Sequence, residues 1–140
     1  EMVFTPMEVP GQSYAKIFDT NGMTEAGWYL QSEGFRNWPV ENEPLIGRRS
    51  ITNGQRAYLA FVSTEDNAMH VYINGEKQTE QPIGARFENT PPGQALFFKD
   101  DGNVSENEHP HALIEALRIS SVNRSAEEIA EVQNRLSGAE

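Results

Sequence analysis

Residues 68–78 read AMHVYINGEKQ, and the reading of this stretch decides the fold. Met69, Val71 and Ile73 alternate with His70 and Tyr72, so one face is apolar and the other carries polar tips. Alternation with a period of two marks a half-buried β-strand, because successive side chains point to opposite faces of a sheet. Asn74-Gly75 then supplies the two positive-φ residues of a type I′ turn, whose twist matches the strands it joins. The chain turns back here as a hairpin. What the face of His70 and Tyr72 meets is the question this stretch leaves open.

The neighbouring runs follow the same logic. AYLAFVS (57–63) is apolar nearly throughout, as a strand covered on both faces would be. MVFT (2–5) stops at Pro6, YAKIFDT (14–20) at Asn21-Gly22, and GWYLQ (27–31) at Ser32-Glu33-Gly34. FRNWPV (35–40) reads as an edge strand at most, since Pro39 has no N–H to give a ladder. ALFFK (95–99) and ALIEALRIS (112–120) complete the set. Short strands parted by Gly, Pro and Asn argue an all-β sandwich or barrel rather than βαβ units. A single helix is expected at the C-terminal end. Ser125 and Glu128 form a capping box, Ile129, Val132 and Leu136 make one apolar stripe, and Gly138 ends it. Segments 41–55, 79–94 and 100–111 carry no regular signal.

A chain of 140 residues is read as one domain, with 37% hydrophobic and 23% charged residues. Opening at Glu1 rather than Met, it is read as a processed or excised piece. No apolar run approaches the ~20 residues that span a bilayer, so no membrane insertion is expected. The net charge of −10 disfavours nucleic acid and anionic lipid surfaces. With no cysteine there is no disulfide, zinc–thiolate site or Cys nucleophile.

The order of features resembles the C-terminal two-thirds of a laminin-G-like domain, of the concanavalin A-like lectin/glucanase superfamily. The residues that carry the likeness are Tyr72–Gly75 in the hairpin, Ile114 to Ile119 in the late strand, and Arg124-Ser125-Ala126-Glu127-Glu128-Ile129. The family pattern has Asp in the late strand where this chain has Glu115. Family domains often run longer, with a strand upstream of Glu1, so a trimmed form is implied. The resemblance implies a jelly-roll sandwich of two antiparallel sheets with one short C-terminal helix, over residues 1–140. It also implies a secreted or cell-surface location in a larger multidomain chain; the acidic, cysteine-free composition fits a bacterial source.

Catalysis is not expected. Retaining glycoside hydrolysis needs two carboxyl groups about 5–5.5 Å apart on one face. Glu41/Glu43 and Glu106/Glu108 are spaced two apart, but in loop-like segments. No G-x-S-x-G elbow or phosphate-binding glycine loop is present. A metal site is a stronger expectation: Asp100, Asp101, Asn103 and Glu106 offer hard oxygen ligands for Ca²⁺, and the resemblance implies calcium at a rim. It is not an EF-hand, and the plain alternative is a solvated acidic turn. His109-Pro110-His111 lacks a third ligand.

A carbohydrate ligand needs aromatic platforms and side-chain hydrogen-bonding groups. Trp38, Tyr58 and Tyr72 are the candidate platforms, with His70 bonding hydroxyls, whereas Trp28 shares a face with Leu30 and is expected in the core. Two N-x-S sequons occur, at Asn103 and Asn123. The reading is a non-catalytic binding module for a glycan or protein ligand. The alternative is a spacer domain, calcium-stabilised and without a ligand; a glycan-cleaving enzyme comes last.

Overall fold

In the computed structural model, the residues described are 1–7, 14–19, 27–31, 34–38, 51–63, 68–78, 83–84, 96–99 and 110–138. Among the described residues, ten strands precede one helix: β1 (Met2–Met7), β2 (Tyr14–Asp19), β3 (Gly27–Gln31), β4 (Gly34–Trp38), β5 (Ala57–Ser63) and β6 (Ala68–Ile73). Then come β7 (Glu76–Lys77), β8 (Ile83–Gly84), β9 (Leu96–Phe97), β10 (His111–Leu117) and α1 (Ala126–Ser137). All strand pairs are antiparallel. They form a six-stranded sheet in the order β10-β1-β5-β6-β7, with β8 also on β6, and a four-stranded sheet in the order β4-β3-β2-β9. The all-β class with a C-terminal helix is as the sequence predicts.

The core lies between the sheets. Met2 and Phe4 of β1, Ala57 and Leu59 of β5, and Met69, Val71 and Ile73 of β6 face Ile17, Phe18, Trp28, Leu30 and Phe35. Adjacent residues Ile17 and Phe18 both point inward because the β2–β3 register shifts between Lys16 and Phe18, and a bulge puts two neighbours on one side. Phe61, half-buried on β5, packs 5.1 Å from Trp28 and 5.3 Å from Phe18, joining aromatic side chains of both sheets.

The six-stranded sheet is apolar on its outer face too. Val3, Tyr58, Ala60 and Tyr72 form a second cluster with Ile129, packed by Val132 and Leu136. Helix α1 therefore lies across β1, β5 and β6 as a third layer. Ser125 accepts from the Glu128 N–H while the Glu128 carboxylate accepts from the Ser125 N–H, which is the expected capping box. Gly138 closes the helix at φ 71°, the left-handed conformation of a C-cap glycine.

Two strands differ from expectation. β1 runs through Pro6 to Met7 rather than stopping at Pro6. The β5 ladder ends at Phe4, and beyond it the Pro6 carbonyl accepts from the Gly54 N–H at 2.7 Å. Proline is tolerated there because its backbone nitrogen faces the same side as that carbonyl, where no ladder bond is required. ALFFK yields only the two-residue β9, because Phe98 turns to a positive φ of 52° and packs edge-on against Phe4 at 5.2 Å.

Asn74 and Gly75 have φ of 51° and 81°, the pair that a type I′ turn requires. The turn also touches α1: a Cβ on Gly75 would stand 3.0 Å from Gln133 Cβ, whereas a Cβ on Gly54, at φ 76°, would meet nothing within 4 Å. Gly54→Ala should thus cost only left-handed strain, about 1–2 kcal/mol. Gly75→Ala adds displacement of the helix and should cost roughly 1 kcal/mol more. Urea midpoints compare the two; equal shifts would show that the hairpin does not bear on the helix.

Candidate functional site

The face of His70 and Tyr72 is occupied by the protein itself. Tyr58 and Tyr72 are 3% and 6% exposed, their rings beneath α1 among Val3, Ala60 and Ile129. A sugar ring has no access to stack on either. The expectation that they form an open platform gives way to the helix stripe, which needs an apolar partner. His70, opposite Val62, is half-buried at the same face, and burial, with Lys77 nearby, holds its imidazole below the ordinary value. Trp38 ends the edge strand β4 opposite Gly27. Trp28, 3% exposed and stacked on Phe35 at 5.3 Å, is core as expected. The calcium expectation, Asp100, Asp101, Asn103 and Glu106, lies outside the described residues. Among the described residues no three His, Cys, Asp or Glu side chains cluster as metal ligands, and no helix is long and apolar enough to cross a membrane.

Polar chemistry instead gathers where the ends of β1 and β10 meet α1. The Tyr58 hydroxyl donates to the Glu1 carboxylate at 2.6 Å, and Arg124 Nε approaches both oxygens of that carboxylate at 3.1 and 3.2 Å. The Glu1 backbone nitrogen donates to the Arg118 carbonyl, and the Arg118 N–H donates to the Glu1 carbonyl, each at 2.9 Å. Farther along β10, Arg56 grips Glu115 through Nε at 2.8 and 3.0 Å and through Nη2 at 2.8 Å. The same guanidinium donates through Nη1 to the Leu136 carbonyl at 2.6 Å, tying the strand to the last turn of α1. Glu115 thus holds a forked ion pair. At the second sequon the Asn123 amide donates to the Ser63 carbonyl, and Ser125 caps the helix.

Two small cavities flank this region. One of about 50 Å³ is bounded by Phe61, Val62, Ser120, Asn123 and Arg124. The other, about 200 Å³, lies between the hairpin turn and the end of α1, with Tyr58, Asn74, Gln133 and Leu136 on its walls.

Among the described residues, the largest apolar exposure lies on β10 and the segment that follows it. Leu113 is 64% exposed, Ile114 51%, Leu117 46%, Ile119 78% and Val122 72%. β10 is the end strand of the six-stranded sheet, so its far side offers backbone groups as well. Arg118 uses both its N–H and its C=O on Glu1. Backbone groups alternate sides along a strand, so those of Leu117, the last residue of β10, point away from the sheet. Other described edges are guarded: β7 and β9 are two residues long, and β7 is Glu-Lys. A long apolar edge with outward donors and acceptors is a template for another strand. Sequence reading located this strand but not its place at the end of the sheet. The signal was there: ALI and AL lack the polar alternation that an exposed face requires.

Burial opposes ionisation of Glu1, but the Tyr58 hydrogen bond with Arg124 beside it prevails, leaving the carboxyl below its ordinary value. A depressed carboxyl stabilises the fold above its unfolded pKa of about 4.5 and loses that contribution as pH falls through the folded value. Tyr58→Phe should therefore cost about 1–2 kcal/mol near pH 7, with the difference from the parent shrinking as the pH drops below 4. Urea titrations at pH 7, 5 and 3 measure this; a constant difference would mean that the hydroxyl does not act through the carboxylate.

Neither a protein-family model, nor a curated protein, nor a solved structure matches the chain.

Proposed function

We propose that the chain is a non-catalytic binding module, of laminin-G-like type, in a larger secreted or cell-surface protein. Its ligand is an extended protein segment that adds as a strand along β10. The observation that carries this reading is the run of Leu113, Ile114 and Leu117, 46% exposed or more, on the edge strand β10, where the backbone groups of Leu117 point outward. In strand addition, main-chain hydrogen bonds supply affinity and alternate side chains supply selectivity. Of the two ligand classes the sequence suggests, a glycan is less well served, because Tyr58 and Tyr72 lie under α1.

The test uses a Lys-flanked ten-residue peptide alternating Val and Thr, and the same peptide with Pro at alternate positions. Amide exchange at Leu117, followed by NMR, should slow at least tenfold with the first peptide and not with the second. A glycan that binds this domain equally well after Leu117→Lys, with no peptide protection at β10, would overturn the reading.

A further inference from the structure

The far side of β10 also dictates what a strand must carry to add there. We propose that the ligand is an acid-headed segment, Asp or Glu followed by apolar residues at alternate positions, running antiparallel to β10 with its carboxylate against Arg118. This rests on strand addition at β10 being the binding mode, and it names the chemistry of the partner.

Register follows from the hydrogen bonds of β1. Glu1 and Arg118 exchange both of their backbone bonds, so Leu117, one residue back, turns its N–H and C=O outward. At the other end, Pro6 gives its carbonyl to Gly54 on the β5 side, so its partner Ala112 also faces outward. Alternation adds Ile114, opposite Phe4. The step from Ile114 to Leu117 is three residues rather than two because the bulge inserts Glu115. An added strand therefore bonds at Ala112, Ile114 and Leu117, all within β10. These residues share the inner face of the sheet with Phe4 and Met2, and Ile114 and Leu117 leave 51% and 46% of their surface in water there. Ligand residues opposite them fall on the same face and must be apolar to cover it.

Arg118 decides the next position. Its side chain lies on the opposite, α1 face, 57% exposed, with Nε 3.7 Å from the Glu1 carboxylate, too far for a hydrogen bond. Among the described residues its guanidinium donates to nothing. The charges around it are matched: Arg56 with Glu115, Arg124 with Glu1, and Glu128 with the helix cap. Arg118 is the cation left over, in a chain of net charge −10. Because its backbone groups are spent on Glu1, it faces an added strand as a non-hydrogen-bonded pair, the arrangement that brings side chains closest. A carboxylate at that position can accept from the open fork of the guanidinium. In an antiparallel ligand this acid comes one residue before the apolar residue opposite Leu117. β1 shows the same series from its own side of β10: Glu1 at Arg118, Met2 opposite Leu117 and Phe4 opposite Ile114.

The test compares three acetylated peptides ending in Lys-Lys, with cores Glu-Val-Thr-Val-Thr-Val, Gln-Val-Thr-Val-Thr-Val and Gln-Val-Thr-Val-Glu-Val. The third keeps the charge of the first but places it opposite Leu113. Each is titrated into the domain while amide exchange at Leu117 is followed by NMR. The first should bind about fivefold more tightly than either of the others, the upper range for an opposite-charge cross-strand pair. Arg118→Gln should bring all three to one affinity, with circular dichroism confirming the fold. Where that variant folds poorly, raising the salt from about 0.05 to about 0.5 M on the parent chain must shrink the preference, because screening weakens an exposed ion pair. A preference that survives either treatment overturns the role of Arg118. The third peptide binding as tightly as the first overturns the register. If all three protect Leu117 equally, strand addition stands and the acidic head falls. If none protects it, both fall together.

Discussion

Contact between the α1 stripe and the outer face of the six-stranded sheet is the constraint on which the rest depends. β5 is apolar on both faces, with Ala57 and Leu59 turned to one side and Tyr58 and Ala60 to the other. A sheet of that kind needs a cover on each side. The four-stranded sheet supplies one and α1 the other. The helix spans twelve residues, a length marginal in water on its own, so its stability comes from docking Ile129, Val132 and Leu136. Full burial of Ile129 makes this a closed joint. Truncating a buried isoleucine costs about 2–5 kcal/mol, a large part of a small domain's stability.

That joint decides what the surrounding polar residues do. With the helix in place, Tyr58 is buried as far as its hydroxyl, which must bond something, and Glu1 answers. Burial and the acidic partner push the Tyr58 hydroxyl well above the ordinary tyrosine range, so it acts as a fixed donor. Arg56 bridges the joint to the edge strand through Glu115 on one side and the Leu136 carbonyl on the other. The half-exposed ion pair adds little energy, but the fork fixes geometry.

Much of this was legible in the sequence, and for definite reasons. Period-two alternation in residues 68–73 placed Met69, Val71 and Ile73 in the core, and Asn74-Gly75 specified the turn, because both signals are local. The capping box and Gly138 bounded the helix for the same reason. Periodicity reveals that a face is apolar or mixed but not what covers it. Tyrosine sharpens the ambiguity, since its ring wants burial and its hydroxyl a partner. Tyr72 therefore suited a ligand platform as well as a helix seat. Pro6 was misread because its tolerance depends on which neighbour has already left the ladder, a non-local fact.

The edge strand exposes the same limit from the other side. Sequence alone gives ALIEALRIS the look of an interior strand, with apolar residues on both faces. Its place at the end of the sheet makes that composition costly. Sheets blunt their edges with charge, shortness, proline or bulges, as β7 and β9 do here by the first two means. β10 has one bulge, at Glu115, and that residue's charge is turned inward to Arg56 rather than outward as a guard. Seven residues long, with Leu113, Ile114 and Leu117 exposed to water, it keeps an apolar edge despite that bulge. An edge of this kind is the feature on which the proposed addition of a strand rests.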